Sequence, residues 1–485
     1  MSCEAEGILL DYSKSLMDAE VLSHLVQLAE DSGLKQAMQD FRNGATINET
    51  ENRKVLHTAL RCPENALDSE EAKWAFGVRK EMKKWVEAIH QGDYTSVSGK
   101  KFTHVVNIGI GGSYLGPRFL HDALRLRESK MDLHFISNVD PQNLDDVLQR
   151  VPLDTTLFIL VSKSFGTIET LSNAAVIKDI LLKEDWGQEA VGKHFIGISS
   201  NVEKAVAWGL REENILPLPD WAGGRFSVWG SVGLGLALAY GMDAFEGILN
   251  GAHQMDQHFF HAAYKENLPI VLALIGIWNV NFLDINNKTL VPYDSLLRLL
   301  PSYLQQMVME SNGKSANRDG EPINYQTSPI YWGEIGTDAQ HSFFQQLHQG
   351  TVATAMEFML PKTTQSAQKD LERVLQYNCL AQASSLAFGK DDNESDAQDP
   401  LNAYRQFPGN VPSTMLVYDA LTPEMLGKLI ALYEHQTFVQ GIVWNIFSFD
   451  QWGVELGKKV AQSLENVDEA ALDSSTRNLL KRLGL

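Results

Sequence analysis

Cysteine is scarce in this chain of 485 residues, with only Cys3, Cys62 and Cys379. They are odd in number, far apart and without metal-ligand spacing. This excludes a disulfide framework or a cysteine-held metal and favours a reducing compartment. Basic residues are also in deficit, 41 against 61 acidic ones, for a net charge of −20. That balance argues against a nucleic-acid polyanion as the main ligand. A small phosphate stays possible, because a few local cations and backbone N–H groups can hold it whatever the global charge. The N-terminus, MSCEAEGILLDYSKSLM, lacks the basic region of a secretory leader. Long apolar runs are missing too. The most apolar windows, VWGSVGLGLALAYGM and PIVLALIGIWNVNFL, extend about 15 residues, short of the ~20 that span a bilayer, and read as buried core helices. A soluble cytoplasmic protein without a membrane partner is expected.

What is present points to α/β architecture. The length exceeds what one hydrophobic core usually holds, so two or more lobes are expected. From Ala19 to about His90 apolar residues recur at helical spacing, as in AEVLSHLVQLAE and EMKKWVEAIH. Short β-rich runs then alternate with turns and helical patterns: THVVNIGI, DLHFISNV, TTLFILVS and KHFIGIS. This is the rhythm of βαβ units and a parallel sheet covered on both faces. A second, weaker set follows in TLVPYDS, TVATAMEFML and STMLVYDAL, and the acidic stretch Gly389 to Pro400 reads as an exposed loop.

The stretch VVNIGIGGSYLG, Val105 to Gly116, runs from a strand into a glycine-rich turn. A dinucleotide fingerprint begins at Gly109-Ile110-Gly111, but Tyr114 stands at the third glycine position, while Asp140 near the next strand end keeps that reading open. A Walker A loop fails, because Pro117-Arg118 replaces Lys-Ser/Thr. A structural glycine turn is the plain alternative. The third strand weighs against it. LFILVSKSFGTIET leaves its apolar run into Ser162, Lys163, Ser164 and Thr167 just before a helical pattern. Such hydroxyls are often ordinary helix caps. Together with free N–H groups they also form an anion site. Two such strand-end turns in one sheet indicate a phosphate monoester at the carboxyl edge.

The motifs NIGIGGSYLGP, SKSFGTIET, GGRFSVWGSVGL, MESNGK, AQHSFFQQLHQG and FDQWGVELGK, in this order along nearly the whole chain, resemble the phosphoglucose isomerase family. The resemblance implies two SIS-type (flavodoxin-like), doubly wound parallel-sheet lobes with helical N- and C-terminal extensions. It implies a homodimer with shared active sites and reversible aldose–ketose isomerisation of D-glucose 6-phosphate and D-fructose 6-phosphate through a cis-enediol, without metal or organic cofactor. By resemblance Glu310 is the base, Arg225 stabilises the enediolate, and His341 and Lys458 open the ring. Gly112, Ser113, Gln306 and Gln451 contact the sugar, and Ser162, Lys163, Ser164 and Thr167 form the phosphate loop. Gln451 and Lys458 lie seven apart, so one helix face could carry both. His348 is read as structural. Tyr114, Ser164 and Gly166 depart from commoner family residues without removing a reacting group.

Four segments are expected: an N-terminal helical segment at 1–95, lobes at 96–255 and 256–440, and a C-terminal helical segment at 441–485 completing the active site. The rival reading is a non-catalytic sugar-phosphate-binding SIS regulatory protein. It would keep the phosphate loop but could lose Glu310, His341 or Lys458, and all three are present.

Overall fold

The computed structural model describes residues 1–390, 400–464 and 472–485. Met1–Ser448 form one compact unit and Phe449–Leu485 a second. The first unit begins with a hairpin. β1 (Ser2–Ala5) and β2 (Ile8–Lys14) pair antiparallel around Glu6-Gly7. Both turn residues have positive φ, 54° and 76°, the left-handed pair that suits a two-residue hairpin. Ile8, Leu10 and Tyr12 point inward at strand spacing. These residues belong to the segment expected to be helical over 1–95, and here that expectation is corrected to strand. Helices Ala19–Asp31, Leu34–Arg42 and Glu70–Gln91 occupy much of the rest. Asp18 and Ser69 cap two of them by accepting from Val21 N and Ala72 N.

The first sheet contains β3 (His104–Ile108), β4 (Asp132–Ile136), β5 (Thr156–Val161), β6 (Phe195–Ser199) and β7 (Ile215–Pro217), all parallel, in the order β4-β3-β5-β6-β7. Every residue of β5 and β6 is buried, as a sheet covered on both faces requires. Phe158, Leu160 and Phe195 share one core with Ile177 and Leu181 of the Ile168–Lys183 helix. The chain leaves β3 toward one edge and β5 toward the other, so a crevice opens at their carboxyl ends.

The second sheet adds β8 (Asn287–Pro292), β9 (Ile330–Gly333), β10 (Ala355–Pro361) and β11 (Ser413–Tyr418), in the order β1-β2-β11-β10-β8-β9. Its run β9-β8-β10-β11 repeats the winding of β4-β3-β5-β6. Where β7 extends the first sheet, β2 pairs antiparallel with β11, so this sheet is mixed rather than wholly parallel. An antiparallel edge strand can come from the chain terminus without the crossover a parallel neighbour demands.

Between the sheets in sequence, the Leu268–Ile277 helix is buried at every position, which explains the apolar window read there. No described helix is long and apolar enough to cross a membrane. The expected boundary after residue 440 falls inside the Pro423–Val443 helix. The acidic stretch read as an exposed loop lies, over residues 391–399, outside the described residues. In the second unit, a 3₁₀ turn at Trp452–Val454 precedes the helix Glu455–Leu464, and Asp473 caps the helix Ser474–Leu483.

Candidate active site

Three turns and one widened helix meet at the β3/β5 crevice. The first turn, Gly111–Ser113, follows β3. Gly111 has φ 58°, open to glycine at little cost, and a Cβ there would lie 3.1 Å from Gln306 Nε2. At Gly112 a Cβ would sit 2.1 Å from the Gly224 carbonyl and 2.5 Å from Arg225 N. Only glycine lets these two backbones touch. Asn107, buried in β3, donates to Ser113 O at 3.1 Å and ties the turn to its strand. The Tyr114 ring packs edge-on against Phe135, so this departure from the family pattern is absorbed by packing.

The second turn follows β5. Phe165 has φ 49°, an unfavourable conformation for a bulky side chain, held by burial of its ring in the first-sheet core. The reversal leaves Ser164 and Gly166 exposed. Thr167 occupies the cap position of the Ile168–Lys183 helix, yet its side chain makes no capping bond; its Oγ1 instead accepts from Ser162 Oγ at 3.4 Å. The plain capping reading is therefore not the use made of Thr167. Hydroxyls beside an uncapped 16-residue helix terminus suit an anion. Lys163 points elsewhere: its ammonium donates to Asp220 O and Ala222 O, both at 3.1 Å. It binds this loop to the segment leading into Gly223-Gly224-Arg225. Burial pushes its pKa down, and Asp220 works against that.

Arg225 sits in the third turn, Gly224–Phe226, with its side chain 1% exposed. Its Nε donates to Ser311 Oγ at 2.7 Å, and its Nη2 to Ser448 O at 2.7 Å. Its Nη1 lies 3.7 Å from Glu310 Oε1. Glu310 ends a π-helix, Gln305–Glu310, a geometry that often marks functional positions. Met307 and Val308 anchor that turn in the core. Ser311 Oγ also donates to Met307 O at 2.5 Å. Asn312 accepts from Ser448 Oγ at 2.7 Å and donates to Thr437 O at 3.0 Å. Sequence reasoning missed these three supports. Ser311 and Asn312 carried a signal, as polar residues following the base within MESNGK. Ser448 carried none, since its partners lie far away in sequence.

The structure thus brings Gly112, Ser113, Arg225, Gln306 and Glu310 into one contiguous group, with Ser162, Ser164 and Thr167 on the neighbouring strand end. His341 is exposed at the end of the Gly336–Gln340 helix, and its side chain makes no hydrogen bond or ion pair among the described residues. His348 contacts Gln382 and packs beside Phe344, in keeping with a structural role. In the second unit, Lys458 is exposed and pairs with Glu455 at 3.0 Å. Gln451 precedes the 3₁₀ turn with φ −154° and ψ 43°, so one helix face does not carry both, contrary to the spacing argument. A tight turn through Gly453 intervenes before the helix starts at Glu455. Among the described residues no group of three or more His, Cys, Asp or Glu side chains is placed to hold a metal ion.

Known proteins share this organisation. Residues 11–480 match the family model described as phosphoglucose isomerase. A glucose-6-phosphate isomerase from Marinomonas sp. strain MWYL1 is 42% identical, covering 99% of this chain and 91% of that protein. Glucose-6-phosphate isomerase 1 of Chromohalobacter salexigens is 45% identical, covering 99% and 88%. A crystal structure of a glucose-6-phosphate isomerase from Chlamydia trachomatis superposes with a TM-score of 0.88 at 33% identity, covering 100% of this chain and 92% of that one. The chain belongs to the phosphoglucose isomerase family.

Proposed function

We propose that this protein reversibly isomerises D-glucose 6-phosphate and D-fructose 6-phosphate, the reaction of glycolysis and gluconeogenesis, with its chemistry centred on Glu310 and Arg225. The observation that carries the reading is the placement of a partly exposed carboxylate 3.7 Å from a buried guanidinium, at the switch point of a doubly wound sheet. The sugar's phosphate is held by Ser162, Ser164, Thr167 and the helix terminus behind them. Gly112, Ser113, Gln306 and Gln451 contact the sugar. His341 and Lys458 open the ring, roles that rest on family resemblance.

With the chain open, Glu310 removes the proton from C2 of the aldose. The C2–H electron pair forms a C1=C2 double bond, and the C1 carbonyl becomes an oxyanion beside Arg225. The O2 proton passes to O1, Glu310 returns its proton to C1 using the C1=C2 electron pair, and the O2 lone pair closes the carbonyl at C2. A base with hydrogen-bond reach and a preorganised cation are the two devices such a step needs. The reaction has no net oxidation, so it calls for no electron acceptor.

The protein acts in the cytoplasm as a homodimer in which His341 serves the partner's site. Its exposed, unengaged side chain supports this reading. So do Leu371, Val374, Tyr377 and Phe388, apolar side chains left more than half exposed along the Lys369–Phe388 helix.

The test is a coupled assay: fructose 6-phosphate in, glucose 6-phosphate detected by a specific dehydrogenase, with Glu310→Gln beside the wild type. The expected loss in kcat is roughly 10²–10⁴, the scale of a positioned base. Wild-type turnover in a folded Glu310→Gln protein would overturn the assignment. No turnover in the wild type, with fructose 6-phosphate still raising its Tm, would favour a sugar-phosphate sensor.

A further inference from the structure

Behind Arg225 lies a set of ionisable side chains that the proposed reaction does not use. Arg61, Asp256, Glu434 and His435 are each 2% exposed or less. Arg61 donates from Nε and Nη2 to the two oxygens of Asp256, at 2.8 and 2.6 Å, and from Nη1 to Glu434 Oε2 at 2.5 Å. His435 Nε2 lies 2.7 Å from Asp256 Oδ1. Burying so many charges is expensive, and a hydrophobic cluster of equal volume often stabilises a fold as well or better. A network of this kind that reaches an active-site turn is therefore open to a second use.

Two contacts make the connection. Trp229 Nε1 donates to Glu434 Oε1 at 2.8 Å, and the Arg61 guanidinium covers the same indole at 4.5 Å. His57, 3.7 Å from Glu434 Oε2, stacks on Phe226 with ring centres 4.7 Å apart and planes 18° apart. Phe226 is the residue after Arg225, and the Arg225 guanidinium lies over its ring at 5.3 Å. Trp229 follows Arg225 by four residues in GGRFSVW. The short turn carrying Arg225 is thus held at its next residue, Phe226, and again at Trp229, three residues further on, each time through a group that touches Glu434.

We propose that Glu434 and its buried partners are positioning residues for Arg225, locking the Gly224–Phe226 turn through the Trp229 hydrogen bond and the His57–Phe226 stack. The inference rests on Arg225 being the enediolate stabiliser. A guanidinium that acts on charge present only in the transition state must be preplaced, and small displacements are costly there. Substrate binding before that charge develops is less sensitive.

The experiment is a double-mutant cycle between Trp229→Phe and Arg225→Ala, read in kcat, KM for fructose 6-phosphate and Tm. Trp229→Phe keeps a ring in place and removes the donor. The expected result is a fall in kcat of about tenfold with KM within about twofold, and no further fall when the same change is made in Arg225→Ala. Phe226→Leu, which removes the stack, gives the same pattern and serves if Trp229→Phe does not fold. An unchanged kcat in either folded variant overturns the proposal. So does a loss of the same size in both backgrounds, the mark of a merely structural change. If Arg225→Ala itself leaves kcat intact, the assignment of Arg225 fails first, and the positioning role falls with it.

Discussion

Gly112 and Arg225, more than a hundred residues apart in sequence, meet backbone to backbone: a Cβ on Gly112 would lie 2.5 Å from Arg225 N. The sugar-side turn after β3 is therefore packed directly on the turn that delivers the guanidinium. Gly112→Ala forces one of them to move. Overpacking of this kind costs about 1–3 kcal/mol, and the displaced turn carries Arg225 with it. We expect a lower Tm and a fall in kcat/KM, whereas Gly187→Ala, a distant surface glycine with φ 57° and no atom within 4 Å of the added Cβ, lowers Tm without touching catalysis. Equal activity in Gly112→Ala and wild type would refute the coupling of the two turns.

Arg225 is bonded through Nε and Nη2 to Ser311 Oγ and Ser448 O, a forked pattern that lysine cannot reproduce. Arg225→Lys should behave much like Arg225→Ala, with kcat lower by roughly 10²–10³ if the group stabilises an oxyanion. A change confined to KM would make it a ground-state binding residue instead.

The phosphate turn predicts the opposite signature. Thr167→Val keeps shape but removes a hydroxyl that is not engaged in capping. Loss of one hydrogen bond to a charged group costs about 1.5–3 kcal/mol. KM should rise by roughly tenfold or more while kcat changes little, because phosphate is held equally in ground and transition states. Inorganic phosphate should inhibit the wild type competitively and Thr167→Val more weakly. A variant with unaltered KM would remove Thr167 from the site.

Stability should fall as pH drops from about 6.5 toward 4. Burial, with Arg118 adding to it, pushes His121 down to about 4 from the usual 6.5, and its Nδ1 lies 2.9 Å from the Tyr240 hydroxyl. Between those values the unfolded chain binds a proton that the folded chain does not, so protons favour unfolding across that window. Buried His57 and His435 are also shifted down, by burial first, and act in the same direction. Urea melts at pH 7.5, 6 and 5 should show the decline, and His121→Gln should make it shallower. A His121→Gln protein with the same pH slope as wild type would show that this residue does not contribute.

The shared-site dimer has its own test. Glu310→Gln and His341→Ala are each expected to be inactive alone. Co-refolded in equal amounts, half the dimers are mixed, and each mixed dimer has one intact site if His341 serves its partner. Activity should then return to roughly a quarter of wild type. No recovery, with mixed dimers present by mass, would place His341 in the site of its own chain.

Much of this protein was decided by local sequence. The strands β3, β4, β5 and β6 are short apolar runs ending in turns, and periodicity alone locates them. SKSFGTIET announces its chemistry because a strand end, a helix start and hydroxyl groups are contiguous there, whereas Glu310 in MESNGK, at the end of a π-helix, is marked by the family resemblance and not by local pattern. Other features belong to the tertiary structure. β7 and β9 are three and four residues long, too brief for a period to register. The hairpin β1–β2 becomes the edge of a sheet whose remaining strands begin at residue 287, a pairing no local pattern encodes. Gln451 and Lys458 have helical spacing but a 3₁₀ turn between them, since spacing describes a face only where a helix exists. Ser448, the approach of Gly112 to Arg225, and the buried contacts of Glu434 all join segments distant in the chain. Local propensity is written residue by residue. Hydrogen bonds and close packing between remote segments exist only once the whole core has closed around them.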